Sequence, residues 1–262
     1  MKNFKIFFLA ILNFLSFILM IFFNFISVNL PLNSKRPQDV SDKYPALIVP
    51  YNVTFSIWII IYILLTMFVL NQFFVIFSKD DRRKFLIEKI GFLFFLSSVF
   101  NVLWLFCWHY ERLLLSVIVI ILLLVTLIIL YIKLGIGKKD FSESLVFVKT
   151  PVSIYLAWIS VATIANISSY LGSLNLYLFE KYEILWTVLM IIASLFLAIF
   201  MILKNNDLIF SLVFIWAYIG IIIKQQISNL RNSYVVLSAI LSIIFLTFIA
   251  ILNEIKLFRN KS

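Results

Sequence analysis

The chain has 262 residues, 64% of them hydrophobic and 13% charged, with a formal net charge of +10 and a mean hydropathy of +1.11. Soluble domains are nearer half apolar and a quarter charged, so a soluble globular fold is excluded. The basic residues sit in short runs between apolar stretches, which fits bilayer topology and excludes a nucleic-acid binder.

The chain opens with Lys2 and Lys5 ahead of a long apolar run, an imitation of a signal peptide. That run, 6–30, is about twice the length of a signal h-region and lacks a clear small-x-small cleavage site, so it reads as a retained first helix. Further uncharged stretches follow at 54–78, 90–109, 113–132, 151–179, 184–203, 208–223 and 234–253. Each can cross a hydrocarbon layer of ~30 Å as a helix, with 208–223 the marginal one. Backbone groups in lipid must bond internally, so the fold class expected is an all-α integral membrane protein, a bundle of about eight transmembrane helices.

With the N-terminus in the cytoplasm, 15 of the 22 Lys and Arg fall on the cytoplasmic side and 7 outside. That bias predicts a multi-pass protein of the cell membrane with both termini cytoplasmic. Between the first two crossings, residues 31–53 carry Pro31, Pro37, Pro45 and Pro50, which block regular helix and suggest an ordered cap. The inner segment 133–149 is read either as an amphipathic turn at the membrane surface or as a plain linker. The residues around Glu180–Glu183 are expected to form a charged loop, and Pro151 to sit at a helix start.

No Asp, Glu, Lys or Arg lies within the eight stretches, and the chain has five Gly in all. Ion-coupled carriers place titratable groups and broken helices within the bilayer, so an ion-coupled pump is disfavoured. Single residues of Cys (Cys107) and His (His109) leave no intrachain disulfide and no His/Cys metal cluster. The inner faces instead carry aromatic and amide stripes at helical spacing. Trp58 and Tyr62 are one turn apart; Ser97, Asn101, Trp104 and Trp108 share a face, as do Trp158, Ala162, Asn166 and Ser169. Small residues and amides on such faces either glue helices together or line a cavity. Trp108 and Trp186 suit an interfacial girdle, whereas Trp104 and Trp158 lie deeper.

These stripes resemble the TspO/translocator family, the tryptophan-rich sensory proteins. The residues that carry the resemblance are Tyr44-Pro45-Ala46-Leu47, Pro50, Trp58-x-x-x-Tyr62, Asn101-x-x-Trp104, and Tyr155-Leu156-Ala157-Trp158 followed by Ala162-Thr163 and Asn166. The resemblance covers roughly residues 1–175. It implies a five-helix core capped by the first loop, with a pocket between helices for porphyrins, other tetrapyrroles or sterols. Trp58, Tyr62, Asn101, Trp104, Trp158, Ala162 and Asn166 are the ligand-binding residues it implies, with no metal site and no covalently bound cofactor. The domain division expected is 1–182 as this core and 183–262 as an accessory three-helix extension.

The function expected is a sensory or binding protein that holds a tetrapyrrole- or sterol-like molecule. A carrier of such a molecule and a ligand-free structural subunit remain the alternatives. An enzymatic role is not the expectation, although slow light-dependent porphyrin breakdown is attributed to some members of the family. The partners are the lipid bilayer and a hydrophobic small molecule, with a homodimer left open.

Overall fold

The computed structural model describes residues 2–30, 32–77, 81–137, 146–227 and 232–259. The described residues form ten α-helices and no strand: α1 (Lys2–Asn29), α2 (Pro37–Lys43), α3 (Ile57–Ile76), α4 (Asp81–Ile90), α5 (Leu93–His109), α6 (Leu113–Leu134), α7 (Val146–Ser173), α8 (Tyr177–Asn205), α9 (Leu208–Ile227) and α10 (Ser233–Arg259). Two 3-10 turns, Leu32–Ser34 and Asn52–Ser56, lie in the first loop. Of the described helices, seven are long and apolar enough to cross a membrane, or eight if α4 and α5 together make one crossing. Large apolar side chains face outward along them, for example Ile59 at 63% exposure and Phe196 at 66%. In water such faces far exceed the few hundred Å² a soluble monomer exposes, whereas lipid covers them without cost. The protein is an all-α, multi-pass membrane bundle.

The uncertain crossing is not where the hydropathy puts it. α9 runs for the full 20 residues of Leu208–Ile227, about 30 Å at 1.5 Å per residue, because Lys224 and Gln225 extend the helix past the apolar stretch. The stretch that does not stand as one straight crossing is instead the third, where α4 and α5 form a bent pair. Gly91, at φ +53°, takes a left-handed conformation that glycine enters freely, and α4 and α5 meet at 45° across it. Without α4, the 17 residues of α5 reach only about 26 Å.

Three smaller expectations are corrected. Pro151 lies inside α7, not at its start, because the helix begins five residues earlier at Val146. The charged segment Glu180–Glu183 is helical, forming the opening turns of α8, with a local departure at Tyr182 (φ −111°, ψ 15°). One of the first-loop prolines, Pro37, positions a helix rather than forbidding one. Pro37 opens α2, where the missing N–H costs nothing, and Asp39 Oδ2 accepts the Arg36 N–H at 2.7 Å. Residues 138–145, the middle of the expected amphipathic turn, lie outside the described residues.

Packing divides the chain into two compact units, Met1–Lys43 with Trp58–Ile159, and Tyr44–Ile57 with Ser160–Ser262. The first loop and α7 each contribute to both. The expected 182/183 division is a different line, and it falls at the Tyr182 irregularity inside α8.

In the first unit α5 packs against α1 and α6, and α4 against α1 and α6. Ile6, Leu9 and Ala10 of α1 bury against Val75 of α3 and Ile87 of α4. Deeper along the helices, Asn13 Nδ2 donates to Gln72 Oε1 at 2.9 Å, linking α1 to α3. The first half of the loop docks on the end of α5. Trp108 Nε1 donates to Pro37 O at 3.0 Å, Asn33 Nδ2 donates to His109 O at 3.0 Å, and Lys35 and Lys43 both pair with Glu111.

In the second unit α8, α9 and α10 pack on one another. Asn206, left-handed at φ 47°, ends α8, and Asp207 Oδ1 then accepts the Phe210 N–H at 3.3 Å to start α9. Asn253 of α10 donates to Asn206 Oδ1 at 3.2 Å, and the hydroxyls of Ser194 and Tyr218 bond at 2.7 Å between α8 and α9.

Candidate functional site

The helix that starts at Ile57 presents Trp58 and Tyr62 one turn apart, and their rings stack with centroids 5.3 Å apart at 18°. α7 supplies Tyr155 and Trp158, three residues apart on one face. Both meet Trp58 edge-on, at 6.1 Å and 63° for Tyr155 and 6.4 Å and 88° for Trp158. Trp58 is therefore the centre of a four-ring cluster. Pairs in these geometries contribute roughly 0.5–1.5 kcal/mol beyond their buried area.

A polar chain adjoins the cluster. Asn101 Nδ2 donates to the Tyr155 hydroxyl at 3.2 Å, and Asn101 Oδ1 accepts from Asn24 Nδ2 at 2.8 Å. Asn101 is fully buried and Tyr155 nearly so. Two amides and a phenol thus connect α1, α5 and α7 within the first unit. In lipid such bonds average about 0.6 kcal/mol and reach about 1.7 kcal/mol.

Of the seven residues singled out from the sequence, Trp58, Tyr62 and Trp158 are in this cluster, and Asn101 joins it through Tyr155. Trp104, one turn along α5 from Asn101, stacks on Trp108 at 5.9 Å and 19°, toward the docked first loop. Ala162 and Asn166 continue the Trp158 face along α7 but belong to the second packing unit; Asn166 is buried and Ala162 half-buried. Two residues of the arrangement were missed. Tyr155 stands within the Tyr-Leu-Ala-Trp run, and its spacing of three from Trp158 was the available signal. Asn24 sits three turns from Asn13, and the two amides fall on one face of a largely apolar helix.

His109, the last residue of α5, is buried and places Nδ1 2.7 Å from Leu105 O, the bond of a helix-end histidine. Among the described residues no three His, Cys, Asp or Glu side chains gather as a metal site. The arrangement offers flat aromatic faces and amide hydrogen-bonding groups, which suit the binding of a planar apolar molecule.

A family model described as "TSPO-like protein" matches residues 10–252. The chain belongs to the TSPO-like family. The match continues past Ser173 through α8 and α9 and most of α10, so these helices fall within the TSPO-like pattern and not beyond it. No curated protein and no solved structure matches the chain significantly.

Proposed function

We propose that this TSPO-like protein is a sensory or binding protein of the cell membrane that holds a planar hydrophobic molecule of the tetrapyrrole class. The observation that carries the reading is the four-ring cluster of Trp58, Tyr62, Tyr155 and Trp158 beside the buried Asn101 amide. Aromatic rings at right angles to one another can contact a flat ligand by face and by edge, and an amide can fix its polar rim. The rings already touch, so a ligand replaces ring–ring contacts with ring–ligand contacts. The reading also has both termini in the cytoplasm, which the Lys and Arg distribution favours.

The test is tryptophan fluorescence of the purified protein titrated with protoporphyrin IX. Saturable quenching supports binding, and quenching that only rises linearly, as partitioning into detergent does, ends the proposal. Trp158→Leu should weaken affinity by about 2- to 13-fold, the equivalent of one stacking wall at ~0.5–1.5 kcal/mol. Trp186→Phe, in α8 and outside the packing unit that holds the cluster, should leave it nearly unchanged. Equal losses in both variants would indicate general destabilisation. Porphyrin flux into liposomes at a rate matching binding would favour the carrier reading instead.

A further inference from the structure

The second half of the first loop, Tyr44–Ile57, is bound by the helices that follow Tyr182. A tight turn closes where Val49 N–H donates to Ala46 O at 3.1 Å. Glu183 of α8 accepts the Leu47 N–H at 2.9 Å. From the far end of α9, Lys224 Nζ reaches Ala46 O and Gln225 Nε2 reaches Leu47 O, each at 3.4 Å. The turn is therefore held from two helices, by an acceptor on its N–H side and donors on its carbonyl side. A residue at its tip, Ile48, is buried and lines, with Ile164, Ile191, Phe214 and Tyr218, a cavity of only about 20 Å³, room for about one water.

Further along, Tyr51 N–H donates to Gly220 O at 3.0 Å, and Trp216 Nε1 donates to Thr54 O at 2.9 Å. Gly220 allows this approach. A Cβ there would stand 2.8 Å from Pro50 Cβ and collide with Thr54. Thr54 is four residues ahead of Trp58 in one continuous helical run, Asn52–Ile76. At a membrane boundary, backbone groups of a non-helical loop need partners, because an unmet buried group costs about 1–3 kcal/mol. Here the partners come from residues after 182.

We propose that α8 and α9 form a clamp for the first loop, with Glu183, Gly220, Trp216 and Gln225 as positioning residues for the turn at Ala46–Val49 and for the start of α3. This gives α8 and α9 a task that does not depend on which ligand the protein holds, or on whether it holds one. It also runs against the expectation that residues 183–262 are accessory.

Hydrogen–deuterium exchange on the full-length protein in detergent, with no ligand added, tests the clamp. In the unmodified chain the amides of Leu47 and Tyr51 should be protected. Glu183→Leu should accelerate exchange at Leu47 by about 10-fold or more, the loss of one hydrogen bond to a charged acceptor. Glu183→Gln keeps a carbonyl acceptor and should retain most of the protection. Gly220→Val should expose Tyr51 as well, while amides of α1 and α5 in the other unit keep their wild-type rates. Should Gly220→Val fail to fold, the Glu183 pair decides. Unprotected loop amides in the unmodified chain, or equal exchange in Glu183→Leu and Glu183→Gln, would overturn the clamp. Because no ligand enters, these outcomes stand apart from success or failure of the porphyrin titration.

Discussion

Asn101 occupies a demanding position, because it is fully buried and serves two partners at once. Leucine there fills similar volume but leaves the Asn24 amide and the Tyr155 hydroxyl without this partner. Each lost bond is worth about 0.6 kcal/mol in lipid, and stranded polar groups raise the total to roughly 1–3 kcal/mol. Asn101→Leu should therefore lower the unfolding midpoint in detergent measurably, whereas Asn101→Gln should fall between it and the wild type. No difference between Asn101→Leu and wild type would mean the amide chain does not contribute to stability. Glu111 is a second residue where local cost and tertiary gain meet. Its left-handed φ of 54° is unfavourable for a non-glycine residue, yet it receives Lys35 and Lys43. Glu111→Gly should relieve the backbone while losing both ion pairs, each worth ~0.2–1 kcal/mol at such exposure, and so should change stability little. The same variant should make the α2 segment more susceptible to protease, which limited digestion would reveal.

Among the elements, the bend between α4 and α5 falls at one glycine. At Gly91 an added Cβ would meet only ordinary contacts, 3.5 Å from Glu88 O, so space does not restrict it. The φ of +53° does, at a cost of about 1–2 kcal/mol for alanine. Gly91→Ala should destabilise the protein by that amount in chemical unfolding, and a neutral result would mean that α4 and α5 can join as one helix. The loop turn gives a packing counterpart. Ile48 is 7% exposed among apolar side chains of the second unit, where the existing void is already small. Truncation to alanine at buried aliphatic positions costs about 2–5 kcal/mol, so Ile48→Ala should be more damaging than a loop residue normally is. Val53, 52% exposed in the same loop, should tolerate alanine within about 0.5 kcal/mol.

For the molecule as a whole, the expectation open to direct test is orientation. Within the first unit, the loop residues Asn33, Lys35, Pro37 and Lys43 bond to the His109–Glu111 end of α5. In the second unit, the segment from Ala46 to Thr54 bonds to the early part of α8 and to the middle and end of α9. The Lys and Arg distribution predicts that residues 31–53, and with them the first loop, face the outer side. Reporters placed near Asp39 and Lys181 should read outside, and one after Lys84 cytoplasmic. If the Asp39 site were labelled only after lysis, the assignment would be inverted.

Class and helix content were determined by the sequence alone, because composition decides the solvent and the solvent then demands internally bonded helices. The aromatic stripes were equally legible: Trp58 and Tyr62, Trp104 and Trp108, and Trp158 with its neighbours are fixed in phase by the helical repeat whatever packs against them. Breaks and partners were not legible. Hydropathy separates the charged α4 from the apolar α5 but cannot show the bend between them, which rests on the backbone of Gly91. Nor can it see that α9 continues through Lys224 and Gln225, which look like loop until the turn they bind is in place. Asn24 and Tyr155 joined the cluster only once helices distant in sequence were set side by side. Glu183 and Gly220 had no local signal at all, because their roles consist of contacts with residues 136 and about 170 positions away. Periodicity fixes which way a side chain faces along its own helix, but long-range packing selects what it meets.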